Sequence, residues 1–286
     1  MPELPEVETV VRDLRPLLVG KRLRAVRTGK QSLRRPWQAA WTRPLTGATV
    51  AAVRRRGKWI LIDLDGKASS PRLLIHLGMT GQLTVAAASV PQPDHLHLWF
   101  DLDGGDQQLR FRDPRRFGSA DVFPDETALE AFLAERLGPE PFDLDAAAFR
   151  ASLRHTTRPI KAVLLDQTVV AGVGNIYADE ALHRVGLHPE TRAQTIGSAR
   201  ADALREAVTT VLLHAIENRG SSIRDYVDGE GQKGGFQHEF RVYGRGKEPC
   251  LTCATTIEVV RVAGRSSHFC PRCQKPSRAR KKVAEP

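Results

Sequence analysis

Residues 250–274 read CLTCATTIEVVRVAGRSSHFCPRCQ, and their four cysteines decide how the end of the chain folds. Two residues separate Cys250 from Cys253 and Cys270 from Cys273, and sixteen lie between the pairs. Two such knuckles converge on one tetrahedral ion, each thiolate about 2.3 Å from zinc. Two disulfides are the other arrangement open to four cysteines; a reducing cytosol keeps thiols free and favours the metal. One structural Zn2+ with four protein ligands leaves no place for water, so it organises rather than catalyses. The intervening run alternates around Ile257, Val259 and Val262 and turns at Ala263-Gly264, which predicts a hairpin with Arg265 near its tip. His268 reads as packing or surface.

Upstream, the pattern from Asp145 to Gly220 is helical. Ala201, Leu204, Val208, Val211, Leu212 and Ala215 line one face, with Ser198 placed to cap the start and Gly220 at the stop. Residues 221–237 hold four glycines and no sustained apolar period, so a long loop is expected. Gly138-Pro139-Glu140-Pro141 reads as a linker that follows a short helix over Ala128–Leu137. The first third is mostly strands, including 59–64, 73–77, 96–102 and 108–112, and suggests a sandwich or barrel. Val7, Val10, Val11 and Leu14 recur at helical spacing and open the chain with a helix.

The net charge of +10 points to a polyanionic partner, nucleic acid first, although excess charge also serves solubility alone. Apolar runs such as WILIDL are far below the roughly 20 residues of a bilayer crossing. MPELPEVETV carries three glutamates and no basic-then-apolar leader, so residence in the cytosol is expected. Zinc and basic residues would equally suit a non-catalytic DNA-binding protein, and the N-terminus bears on that choice. Removal of Met1 leaves Pro2 with a secondary amine; an α-amino group titrates near ~7.7 to 8.0, against about 10.4 for lysine, so part of it is unprotonated at neutral pH. Such an amine can attack a sugar C1′ and form an iminium.

The run Met1-Pro2-Glu3-Leu4-Pro5-Glu6-Val7-Glu8-Thr9 resembles the opening of the formamidopyrimidine-DNA glycosylases. Further matches follow in order: Arg56-Gly57-Lys58, His76 to Gly81, Asp113-Pro114-Arg115-Arg116-Phe117-Gly118, Leu165-Asp166-Gln167, Ala171 to Tyr177, and Gly264 to Gln274. The resemblance implies an α+β fold: an N-terminal β-sandwich flanked by helices, then a helical domain with a helix-two-turn-helix and a zinc-bound β-hairpin. The expected division is a catalytic sandwich domain over 1–137, a linker over 138–145, a helical DNA-binding domain over 146–245, a zinc finger over 246–276 and a basic tail over 277–286.

It also implies a bifunctional glycosylase and lyase for oxidised purines, 8-oxoguanine and formamidopyrimidines, in duplex DNA gripped between two domains. The resemblance makes Pro2 the nucleophile, Glu3 the acid or base beside it, and Lys58 the proton donor for β-elimination. It makes Arg265 a phosphate holder that assists δ-elimination. A flipped nucleotide leaves a gap, which Met79, Arg115 and Phe117 would fill, Phe117 as the wedge and Arg115 on the orphaned cytosine. A phosphate would sit at the helix start of Gly172-x-Gly174-Asn175, with Asn175 and Lys161. Loop 221–237 would cover the extruded base. His95 would touch the backbone, although Pro93 departs from the family's usual histidine. The partner expected is damaged double-stranded DNA, met by a monomer without membrane or small-molecule cofactor. Read without the resemblance, Glu3 is a helix-start acid, Lys58 one charge in a basic run, and Met79 and Phe117 core residues. The alternative within the enzymes is an endonuclease VIII type of glycosylase for oxidised pyrimidines, whose relatives open differently and lack the Asp-Pro-Arg-Arg-Phe wedge.

Overall fold

The computed structural model describes residues 2–67, 69–222, 229, 232 and 234–276. They form two compact units, Met1–Glu140 with Leu212–Glu239, and Pro141–Val211 with Phe240–Pro286.

In the first unit the order is α1 (Leu4–Leu18), β1 (Leu23–Thr28), α2 (Ala39–Leu45), β2 (Thr49–Arg56), β3 (Trp59–Asp65), β4 (Arg72–His76), β5 (Gln82–Ala87), β6 (Leu96–Leu102), β7 (Gln107–Arg112), β8 (Ser119–Phe123) and α3 (Glu126–Ala134). The strands make two antiparallel sheets, β1-β6-β7-β5 and β2-β3-β4-β8. This is the sandwich. One core contains Ile60, Ile62 and Ile75 from one sheet and Leu98, Phe100 and Phe111 from the other. Helix α1 adds Val7, Val10, Val11, Leu14 and Leu18, all at most 1% exposed, because their spacing puts them on one stripe. Each such aliphatic contributes about 1.5–3 kcal/mol by leaving water.

Helix α3 starts two residues before the expected Ala128, because the Asp125 carboxylate accepts from the Ala128 N–H at 2.9 Å, and it ends before Gly138 is reached. The second unit contains α4 (Ala146–Arg154), α5 (Ile160–Leu164), α6 (Asn175–Arg184), most of α7 (Ser198–Glu217) and the hairpin β9 (Glu258–Val262) and β10 (Arg265–Phe269). Ser198 is the first residue of α7 rather than its cap; the Gly197 carbonyl accepts from the Ala201 N–H. The hairpin turns through Ala263 and Gly264, both at positive φ (48° and 74°), the two-residue turn whose twist suits paired strands. Val262 faces inward, but Val259 is 50% exposed, so the expected alternation fails at that residue.

The sequence reading gave 146–245 to a single domain; the contacts give Leu212–Glu239 to the first unit. The tie is polar: Glu6 Oε1 accepts from the Ser221 N–H and hydroxyl at 2.7 and 3.0 Å, and Asp13 pairs with Arg219 at 2.9 Å. Among the described residues no helix is long and apolar enough to cross a membrane. The expectation for 277–286 lies outside the described residues, as does most of that for loop 221–237.

Candidate nucleic-acid interface and catalytic centre

Pro2 and Glu3 are buried at the head of α1. Glu3 is the N-cap, and the two glutamates form a reciprocal capping box in which the Glu3 N–H donates to Glu6 Oε2 at 2.8 Å. The helix-start reading of Glu3 thus has its geometry, and Pro2 is held immediately before a fixed turn. Glu6, to which sequence reasoning gave no role, accepts from both the cap residue and Ser221.

Lys58 is 7% exposed and occupies the two-residue turn between β2 and β3, beside Gly57 at φ 55°. Glu140 fixes that turn: it accepts from the Gly57 N–H at 2.6 Å and pairs with Arg55 at 2.8 Å and Arg56 at 3.0 Å. Burial pushes the Glu140 carboxyl up, but the two guanidiniums and the Gly57 N–H outweigh it and leave the pKa lowered. Under the same turn His76 accepts the Gly78 N–H on Nδ1 at 3.0 Å and packs edge-on against Trp59. Burial, then the charges of Lys58 and Arg35, lower its pKa to about 4, so His76 is neutral at pH 7.

Met79, Arg115 and Phe117 sit on two loops locked to one another. Asp113, with no exposed surface, accepts from Thr80 Oγ1 at 2.5 Å, from the Gly118 N–H at 2.7 Å and from the Arg115 N–H at 3.3 Å. A side chain at Gly78 would strike Gly118 N and Phe117, so the backbones meet there only because position 78 is glycine. Met79 is half-buried, Arg115 is exposed, and Phe117 is 43% exposed with the Arg115 guanidinium 4.8 Å above its ring. Phe117 is therefore not a core residue. His95 is exposed, at φ 64°, and its carbonyl accepts the Asp113 N–H at 3.0 Å. The first unit thus gathers Met79, Arg115 and Phe117 on one pair of loops, with the His95 backbone bonded to the same Asp113.

In the second unit Gly174 caps α6 in extended conformation, and Asn175 opens the helix. Asn175 Nδ2 and Lys161 Nζ both donate to the Ser266 carbonyl, at 3.0 and 2.8 Å. Lys161 has no exposed surface and lies 2.7 Å from Asp179, itself 1% exposed, whose other oxygen accepts the His268 N–H at 2.9 Å. The ammonium expected to face a phosphate instead fastens β10 to α6, because a buried cation needs a buried anion. Arg265, beside the hairpin turn, is exposed. Glu180, missed by sequence reasoning like Asp179, accepts the N–H groups of Arg241, Val242 and Tyr243 at 2.8 to 3.0 Å, though burial still raises its pKa.

The sulfurs of Cys250, Cys253, Cys270 and Cys273 lie within 4.8 Å of one another, and none is in a disulfide. A tetrahedron with 2.3 Å bonds has edges of about 3.8 Å, so the cluster is of the right size. The Thr252 and Cys273 N–H groups point at Cys250 and Cys270 sulfurs, as thiolates require. Burial and the neighbouring sulfurs push the Cys273 thiol up to about 12, so four thiolates need a cation among them. Gln274 braces the second knuckle, accepting the Cys270 N–H at 2.9 Å and donating to the Leu187 carbonyl at 2.8 Å. The cysteines are the zinc site.

Residues 1–120 match the family described as formamidopyrimidine-DNA glycosylase N-terminal domain, 137–227 its H2TH domain, and 247–276 the zinc finger found in FPG and IleRS. A formamidopyrimidine-DNA glycosylase of Cereibacter sphaeroides is 45% identical over 287 residues, covering 96% of this chain and 100% of its own. One of Rhizorhabdus wittichii is 45% identical over 277 residues with the same coverage. Among solved structures, a mutant Lactococcus lactis FPG bound to Fapy-dG DNA superposes with a TM-score of 0.88 at 37% identity, covering 96% of this chain and 100% of that one. A MutM complex with carbocyclic 8-oxo-G DNA gives 0.87 at 37% identity, with the same coverage.

Proposed function

This chain belongs to the formamidopyrimidine-DNA glycosylase family, and we propose that it removes oxidised purines, 8-oxoguanine and formamidopyrimidines, from duplex DNA by a Schiff base on Pro2 and then cuts the strand. The observation that carries this reading is the pairing of a capped, buried Pro2-Glu3 start with the wedge loops in one unit, Phe117 exposed at their tip.

The damaged base is reached by flipping it from the duplex, at a cost of a few kcal/mol. Phe117 wedges the stack, Met79 fills the vacated space, and Arg115 donates to the orphaned cytosine. With Met1 removed, the Pro2 nitrogen bonds to C1′ as the base departs, and Glu3 moves the proton this needs. The iminium acidifies C2′; loss of that proton and of the C3′ oxygen is β-elimination, for which Lys58 is the proton donor. Arg265 holds the adjoining phosphate through δ-elimination at C5′. Asn175 and the head of α6 bind a phosphate, Lys161 supporting them through Ser266. His95 contacts the backbone. When bound, zinc supplies only shape to the hairpin. The chain works in the cytoplasm, at the nucleoid, as a monomer on double-stranded DNA.

The test is a duplex with one 8-oxoguanine opposite cytosine. Expected are release of the base and a one-nucleotide gap with phosphate on both sides. Binding without cleavage would overturn the reading in favour of a non-catalytic DNA-binding protein; faster cutting of oxidised pyrimidines would favour the endonuclease VIII type.

A further inference from the structure

Arg110 lies in β7, is 3% exposed, and has no part in the chemistry above. Its partners are neutral oxygens: Gln108 Oε1 at 2.9 Å and the carbonyls of Ala87 at 3.1 Å, Val90 at 2.8 Å and Pro91 at 3.4 Å. A buried guanidinium is costly unless its donors are met, and here the last residue of β5 and the connection that follows it to β6 accept three of these four bonds. Asp106 holds the start of that connection through the Ala88 and Ser89 N–H groups, at 2.8 and 3.1 Å; farther on, Pro91 and Pro93 have no N–H to give, and from Val90 to His95 the carbonyls are the handles. The handles are taken in order along β7 and just past it. Arg110 takes Ala87 to Pro91, Arg112 Nε takes the Asp94 carbonyl at 2.9 Å, and the Asp113 N–H takes that of His95 at 3.0 Å. Asp113 is also the residue that locks the wedge loop. The left-handed backbone of His95 persists where the surroundings fix it. Gln108, which orients Arg110, is itself held by Asp101 at 2.7 Å.

We propose that Arg110 is a positioning residue for DNA binding, setting the 88–95 segment so that His95 is presented to the strand beside the Arg115–Phe117 loop. The proposal rests on the glycosylase reading. It is tested by a double-mutant cycle of R110M and H95A, with KM and the single-turnover rate on 8-oxoguanine duplex, and Kd for a duplex holding an uncleavable abasic-site analogue. Each single variant raises KM and Kd by about fivefold with the single-turnover rate near wild type, and the double variant is no worse than R110M, as coupled residues behave. R110K keeps the cation but loses the planar fork, and falls between wild type and R110M. Should R110M fail to fold, the cycle of R110K with H95A is read in its place.

Additive effects in either cycle overturn the proposal and leave Arg110 a structural residue, as does a fall in the single-turnover rate at unchanged KM. A wild-type chain that binds the duplex but never cleaves it counts against the glycosylase reading instead. The cycle on Kd still decides the positioning role.

Discussion

Replacing Asp113 by Asn should uncouple the wedge loops while changing one atom. The carboxylate accepts three donors, from Thr80, Gly118 and Arg115, with no exposed surface. An amide presents one acceptor and one NH2: with the NH2 toward Gly118 two buried donors meet, and with it toward Thr80 the hydroxyl must rotate to accept and loses the partner it donated to. An unsatisfied buried group costs about 1–3 kcal/mol, and the remaining bonds lose the strength that an ionised acceptor gives them. Together these amount to roughly 2–4 kcal/mol. Urea unfolding should show the midpoint falling at constant m-value. DNA binding should separate into two effects: affinity for plain duplex, set by phosphate contacts, stays within about twofold, while the preference for a lesion duplex falls by about tenfold or more. A variant as stable as wild type to within about 0.5 kcal/mol, with its lesion preference intact, would refute the reasoning.

Other expectations follow from the same packing. Asp179→Asn removes the buried carboxylate 2.7 Å from the Lys161 ammonium, leaving that charge uncompensated by Asp179 in a site without exposed surface, and should cost about 3–5 kcal/mol in urea unfolding; a loss under about 1 kcal/mol would show that the pair is not buried in solution. His76 is held neutral, with its pKa lowered to about 4 against 6.5 unfolded. The unfolded chain therefore takes up a proton that the folded one refuses, and stability present above pH 6.5 declines by up to about 3 kcal/mol as pH falls to 4. His76→Asn should flatten that limb of the pH–stability curve, and an unchanged limb would assign it to other groups. Chelation should release one zinc per chain and, because the metal closes the hairpin, weaken DNA binding before it melts the sandwich. Simultaneous melting of both units on zinc loss would contradict this.

What the sequence disclosed was what local periodicity and spacing encode. Strand β6 occupies Leu96–Leu102 as read, and the hairpin turn falls at Ala263-Gly264 because two positive-φ residues suit few other structures. Strand β1 went unread, since LRAVRT has three polar residues and a burial pattern without strict alternation. The buried polar residues were the least legible. Glu6 meets Ser221 across 215 positions, and Asp179 meets His268 across 89, so nothing near either residue in the chain signals its partner. Lys161 shows the same limit. Sequence offered an ammonium near a helix start, and packing turned it toward a carboxylate.

The account stands on the Pro2 nitrogen becoming bonded to deoxyribose. Borohydride added during reaction with an 8-oxoguanine duplex, followed by digestion and mass mapping of the protein–DNA adduct, tests this directly. The predicted result is a single adduct on the N-terminal peptide, beginning at Pro2 and absent when an added residue precedes Pro2 and turns its nitrogen into an amide. An adduct on Lys58 or another lysine, or full-speed base release and nicking by the chain whose Pro2 nitrogen is masked, would contradict it.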